Sequence, residues 1–234
     1  MPLLPGLKNQ QTNIMPLYKT INFSRTVGTT TQILIWKITE SFTELFGQVV
    51  LNETNRIRLD GMKSKMHQRA FLSVRKLFQE VGYTDFDLYY DEFGKPHLHD
   101  GKHISITHSH QFSAIIISDE TVGIDIELQR EKITRIADKF VNEAELARLR
   151  NTGSQDYIKK LTVKWGAKEA IFKIRNEKGI SFKDHIKIGT FEINDTQTNA
   201  ELHFDGLIKD FKIYFEEIDS SDSEHFTLVY AFEK

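Results

Sequence analysis

Two short stretches hold the residues whose types and spacing could do chemistry. The first is Val122-Gly123-Ile124-Asp125-Ile126-Glu127. On an extended strand, residues two apart share a face. Asp125 and Glu127 then present two carboxylates about 7 Å apart at the backbone, while Ile124 and Ile126 point the other way, into a core. Two hard oxygen donors on one rigid edge suit Mg2+, which takes one or two protein carboxylates and completes its shell with water and substrate phosphate. The same hexapeptide also describes an ordinary edge strand with acidic residues facing solvent. The second stretch is Trp165-Gly166-Ala167-Lys168-Glu169-Ala170-Ile171-Phe172-Lys173. On a helix, Trp165, Glu169 and Lys173 fall at i, i+4 and i+8, and Lys168 lies on the neighbouring stripe, so one carboxylate stands between two ammonium groups. Taken alone, Glu169 and Lys173 make a routine i,i+4 surface pair, worth about 0.3–0.5 kcal/mol.

The elements that must carry these residues are readable from hydrophobic period and turn chemistry. Ile33 to Ile38 reads as a strand, and Ser41-Phe42-Thr43-Glu44 is a capping box that opens a short helix. A longer helix is expected from about Asn55 to Glu80, stopped by Gly82, with Lys63, Lys65, Arg69, Arg75 and Lys76 and no acidic residue between Gly61 and Phe78. Strands follow at Leu88 to Tyr90, His103 to Thr107, Phe112 to Ser118 and Val122 to Leu128. The second half offers short helices at Ile133 to Phe140 and Asn142 to Arg150, a longer one from Ser154 to Ile174, and then four strands ending at Phe232. Each half thus reads helices first and antiparallel strands afterwards, which predicts an α+β pseudo-duplication joined near residue 120. Residues 1–30, polar and punctuated by Pro2, Pro5 and Pro16, are expected to form a loosely ordered arm, 31–120 an N-terminal half and 121–234 a C-terminal half.

Composition sets the outer limits. The 234 residues carry 31 Lys and Arg against 33 Asp and Glu, for a net charge of -2, so no global positive excess announces nucleic-acid binding and any polyanion must meet a local patch. The absence of cysteine excludes disulfides, thiolate metal sites and a Cys nucleophile. No run approaches the roughly 20 apolar residues of a membrane helix, and the start lacks a secretory apolar centre. The expectation is a cytoplasmic protein that engages no membrane.

The combination of the two stretches is more specific than either part. Gly123-Ile124-Asp125-Ile126-Glu127, followed 44 positions after Asp125 by Glu169 within Trp165 to Lys173, resembles the bipartite signature of the 4'-phosphopantetheinyl transferases. Upstream, Phe93-Gly94-Lys95-Pro96 and Ile104-Ser105-Ile106-Thr107-His108-Ser109 resemble two further motifs of the longer, Sfp-type branch, in which one chain holds both halves. The resemblance runs from about residue 93 to 174. It implies two similar halves, each a helix packed on a small antiparallel sheet, with coenzyme A in the cleft between them, and a chain that acts as a monomer.

The reaction implied is transfer of the phosphopantetheine arm of coenzyme A to a serine of an acyl or peptidyl carrier protein, leaving adenosine 3',5'-bisphosphate. Position by position, Asp125, Glu127 and Glu169 would hold Mg2+ against the pyrophosphate. Glu169 is the foremost candidate for the base, with Glu127 or a metal-bound water as equal alternatives. Lys168 and Lys173 would supply charge to the phosphates, Lys95 and Pro96 would line the adenine end, and His108 beside Thr107 would contact the 3'-phosphate. Arg69 and Arg75 are nominated from the basic helix as further nucleotide contacts. Thr107 stands where the family commonly has Ser, and Gly166 where it usually has Ser, Thr or Cys. Two other readings fit parts of the pattern: a family member that binds coenzyme A or a carrier without turnover, and a metal-dependent nuclease, against which Gln129 stands where such enzymes commonly place a lysine.

Overall fold

The computed structural model describes residues 17–150, 153–220 and 223–234. Two antiparallel sheets face each other and helices cover both outer faces, so four layers stack as helix, sheet, sheet, helix. The alternation of β2 (Thr31–Lys37) explains the layering. Ile33 and Ile35 point into the core between the sheets, while Leu34 and Trp36 point into the core under the N-terminal helices.

The first sheet has the order β1-β2-β6-β5, with β1 Leu17–Phe23, β5 His103–Ser109 and β6 Phe112–Ser118. Helices α1 (Phe42–Gly47), α2 (Glu53–Asp60) and α3 (Lys65–Glu80) follow β2, and a small hairpin, β3 (Leu88–Tyr90) with β4 (Pro96–Leu98), precedes β5. The second sheet has the order β7-β11-β10-β9-β8, built from β7 (Val122–Leu128), β8 (Ile186–Ile188), β9 (Gln197–Phe204), β10 (Leu207–Asp219) and β11 (His225–Glu233). Between β7 and β8 come a 3-10 helix (Glu131–Lys139), α4 (Glu143–Leu149) and the 22-residue α5 (Ser154–Arg175).

Both sheets repeat one plan. An early strand pairs with the last strand of its half, which pairs in turn with the strand before it: β2-β6-β5 and β7-β11-β10. One long helix lies on each such pair, α3 on β2 and β6, and α5 on β7 and β11. The α+β pseudo-duplication expected from sequence is therefore present. The expected order of elements is corrected, because β2 and β7 come before the helices of their halves. The single helix expected over Asn55 to Glu80 is two, α2 and α3. Gly61 ends the first by donating its N–H to Ile57 O (3.1 Å), and Ser64 caps the second by accepting from His67 N. The arm expected over residues 1–30 is corrected in its second part, since Leu17–Phe23 pairs with β2; residues 1–16 lie outside the described residues. The capping box is formed: Ser41 Oγ accepts from Glu44 N, and the Glu44 carboxylate accepts from Ser41 N (2.7 Å). No helix among the described residues is long and apolar enough to cross a membrane.

Candidate active site

β7 reaches its place because both of its edges and both of its faces are satisfied. One edge pairs with β11 across seven residues, Val122 opposite Phe232 through Leu128 opposite Phe226. The other edge meets β5, where side chains take the place of a backbone ladder. Ser105 Oγ accepts from Ile124 N (3.1 Å) and Thr107 Oγ1 accepts from Ile126 N (3.2 Å). Buried amides need such partners, and the two hydroxyls of β5 supply them while joining the halves. Ile124 and Ile126 fill the core between the sheets, so Gly123, Asp125 and Glu127 turn toward α5.

Gly123 sets how closely the helix can approach. A Cβ there would lie 2.0 Å from Ala170 O and 2.8 Å from Ala170 C, a distance no side chain can occupy, so only glycine lets α5 rest on the strand. With helix and strand in contact, Lys173 reaches across. Its Nζ donates to Asp125 Oδ1 (2.8 Å) and to Ile124 O (2.9 Å). Thr107 Oγ1 donates to the same Asp125 oxygen (3.0 Å). Asp125 is only 5% exposed and its second oxygen, Oδ2, has no hydrogen-bond partner.

Glu127 and Glu169 face the same space. Burial first, then the charge of Asp125, pushes the Glu127 carboxyl up to about 7, against the opposing hydrogen bond from Trp165 Nε1 (3.3 Å). Glu169 is raised as well, again by burial and then by Asp125, with Lys173 opposing. Three carboxylates thus act on one another at short range, with Lys173 as the ammonium group among them. A surplus of negative charge, all of it on oxygen, with one buried oxygen unpartnered, fits a hard divalent cation. The three do not bring their oxygens within 4.8 Å of one another. The one described group of Asp, Glu and His that does is Glu217, Asp219 and His225, all exposed at the end of β10 and β11.

On one side of the carboxylates opens a cleft of about 490 Å3, between α2 and α3 and the C-terminal end of α5. Of the residues singled out from sequence, Lys95, Pro96, His108, Lys173 and Arg75 line it. His108 is open to the cleft yet surrounded closely enough that burial, followed by the neighbouring His67 and Lys173, lowers its proton affinity. Lys95 Nζ donates to Ile174 O, tying the Gly94-Lys95-Pro96 turn to the end of α5. Arg75 is almost wholly buried under the cleft. Its Nε donates to Asp85 Oδ1 (2.9 Å) and its guanidinium stacks on Phe71 at 3.5 Å, leaving Nη2 without a partner.

Three nominations are corrected. Lys168 is 2% exposed and donates to the carbonyls of Phe182 and Ile186, both 2.5 Å away, so it ties α5 to the segment before β8 rather than facing the cleft. The i+3 offset from Trp165 to Lys168 is a quarter-turn from the Trp165-Glu169-Lys173 stripe, which is enough to point it elsewhere. Arg69 donates to Glu40 O (2.7 Å) and Ile38 O (3.0 Å), closing the turn between β2 and α1 and lying outside the cleft. Thr107 has its hydroxyl engaged by Asp125 and by Ile126 N, so it braces the carboxylate.

The cleft also contains residues that motif spacing missed: Arg58, His67, Tyr90 and Asn176. Arg58 lies over Tyr90 at 5.0 Å, placing a cation beside an aromatic face. Asn176, in the left-handed region with φ 49°, ends α5, and its backbone N–H donates to Phe172 O. An Arg on a short helix carries no motif, whereas an Asn one residue past a helix is a readable stop signal. Gly166 is explained by its neighbours: a Cβ there would meet Val229 Cγ2 at 2.8 Å and Asp125 Oδ2 at 3.6 Å. Glu127 itself lines a separate depression of about 170 Å3, with Leu128, Ile133, Ile136 and Trp165 and with Arg130 and Lys132.

Residues 121–230 match the model of the 4'-phosphopantetheinyl transferase superfamily. Over 128 residues, 55% of this chain, the sequence is 30% identical to 4'-phosphopantetheinyl transferase gsp of Aneurinibacillus migulanus. The match spans 52% of that relative's length, about half. The resemblance carried by the Asp125 and Glu169 motifs is borne out by both findings.

Proposed function

From the match of residues 121–230 to the 4'-phosphopantetheinyl transferase superfamily, we propose that this chain is a Mg2+-dependent enzyme that moves the phosphopantetheine arm of coenzyme A to a carrier-protein serine. The observation that carries the reading is the contact of β7 with α5 through Gly123, which brings Asp125, Glu127 and Glu169 close enough to act on one another and joins Asp125 to Lys173, a residue that lines the 490 Å3 cleft. The serine oxygen forms the new bond to phosphorus as the pyrophosphate linkage breaks, and adenosine 3',5'-bisphosphate leaves.

Asp125, Glu127 and Glu169 would hold the Mg2+, which supplies charge stabilisation to the pyrophosphate oxygens when bound. The chain's own residues do the rest. Lys173 holds Asp125 in place and presents its ammonium to the cleft, where it can meet phosphate. His108 faces the region where a 3'-phosphate would lie, with the charge of Arg75 buried beneath it, and the Lys95-Pro96 turn borders the adenine end. Arg58 and Tyr90 offer a stacking surface for a base. Glu169, Glu127 or a metal-bound water takes the serine proton. The depression that Glu127 lines, apolar with Arg130 and Lys132 on its rim, suits an acidic carrier that brings its serine there. In this reading 31–120 forms the nucleotide-facing half and 121–234 the half that holds metal and phosphate. The protein acts in the cytoplasm as a monomer, because one chain supplies both walls of the cleft.

The test is intact-protein mass spectrometry of an apo acyl carrier protein with coenzyme A, Mg2+ and this protein, with EDTA and Asp125→Ala controls. The expected result is a gain of one phosphopantetheine that requires both the metal and Asp125. No gain on several unrelated carriers, with coenzyme A still bound, would establish the binding-only alternative instead.

A further inference from the structure

A second cavity, of about 470 Å3, lies on a different face of α5, between α4, the connection from α5 to β8, and β8 itself. None of its wall residues lines the cleft described above. Its walls hold five cationic side chains, Arg148, Lys160, Lys164, Lys183 and Lys187, against two acidic ones, Glu145 and Glu192.

The pairing inside this cavity is uneven. Lys164, with a side chain 4% exposed, is held by Glu145. Lys160, nearly as buried, has only Glu192 at 3.3 Å, and the Glu192 side chain is 85% exposed, so that ion pair is weakened by water. Arg148, Lys183 and Lys187 make no ion pair among the described residues. A surplus of three positive charges, on exposed side chains, therefore borders a concave surface, alongside two paired lysines stripped of much of their hydration. Burial is also the leading cause that lowers the proton affinity of Lys164. Repulsion within such a group is an electrostatic cost that a bound anion would offset. The floor is different in character: Ile186 and Phe191 are buried and apolar, and the Lys164 ammonium lies 5.3 Å from the centre of the Phe191 ring.

We infer that this cavity binds a phosphomonoester that carries a small aromatic or apolar group. The phosphate meets Arg148, Lys160 and Lys183, and the apolar part lies against Phe191. A dianion suits a surplus of three better than a carboxylate does, and compact ammonium groups act on phosphate as point charges. The site does not depend on the function proposed for the cleft, because the two share no residue.

Isothermal titration of the full chain with phenyl phosphate tests the assignment, with inorganic phosphate and phenol as separate arms and coenzyme A titrated in parallel. Phenyl phosphate is expected to bind one site, inorganic phosphate about tenfold more weakly or less, and phenol not at all. The double variant Arg148→Glu, Lys183→Glu changes two exposed side chains. It should lose at least about tenfold in phenyl phosphate affinity while its unfolding midpoint and its coenzyme A titration stay as in the parent. Undiminished affinity in that variant would overturn the assignment. So would no detectable binding at millimolar phenyl phosphate.

Discussion

Replacing Gly123 with Ala adds one methyl group, and the structure says what that methyl would do. Its carbon would lie 2.0 Å from Ala170 O, 2.8 Å from Ala170 C and 3.1 Å from Ile174 Cγ1, where ordinary contact begins near 3.4 Å. The two nearest atoms are backbone, so no rotamer change relieves the overlap. To restore contact, α5 must withdraw from β7 by about 1 Å or more, since overpacked cores respond by backbone shifts. The expected destabilisation is about 3 kcal/mol, at the upper end for overpacking. A withdrawal of that size also stretches the bonds of Lys173 to Asp125 Oδ1 and Ile124 O, now 2.8 and 2.9 Å. A misplacement of about 1 Å can lower turnover by on the order of 10²-fold. Urea unfolding and the mass-spectrometric transfer assay measure the two effects. Gly47→Ala is the control, because Gly47 lies in α1 with nothing within 4 Å of the added carbon, and there alanine should be neutral or stabilise by about 0.5–1 kcal/mol. If Gly123→Ala unfolded at the parent urea midpoint and kept full activity, the claim that this glycine sets the helix-to-strand distance would fail.

Other perturbations probe the remaining parts. Glu169→Gln should abolish transfer and leave the unfolding midpoint near that of the parent, and near-normal rates would remove Glu169 from the mechanism. Gly166→Ser should destabilise through Val229, which the new Cβ would meet at 2.8 Å, and adding Val229→Ala should restore much of the loss; no rescue would mean the clash is not the cause. Lys168 has its proton affinity lowered to about 8, chiefly by burial. Between about pH 8 and 10.5 the unfolded chain holds more protons at this position than the folded one, so the stability contributed by this group rises with pH across that window. Lys168→Met should remove that rise relative to the parent in pH-resolved urea unfolding, and an identical slope in both proteins would show that Lys168 keeps its charge in the fold.

Sequence reasoning went furthest where chemistry follows from local order. The capping box at Ser41 and Glu44, the alternation that sends Ile124 and Ile126 inward, and the 3.6-residue period of α3 are all decided within a few residues by dihedral preference and side-chain size. Spacing put Asp125 with Glu127 on one face of a strand and Glu169 with Lys173 on one face of a helix, whereas the expectation that the two stretches meet came from the family resemblance and not from local order. What local order does not contain is direction between elements. Lys168 and Lys173 look alike in the sequence, yet one is buried on the carbonyls of Phe182 and Ile186 and the other lines the cleft, because α5 is covered on several sides and its roll on β7 selects which stripe meets the carboxylates. Arg69 and Arg75 share a basic helix with the same ambiguity. Only the packing of α3 against the turn after β2 and against Asp85 tells which groups that helix satisfies internally and which it leaves with a free donor. Long charged side chains take whichever partner the assembled fold brings within about 3 Å, so their partners are a property of the tertiary structure, whereas the period that places apolar residues inside is a property of the chain.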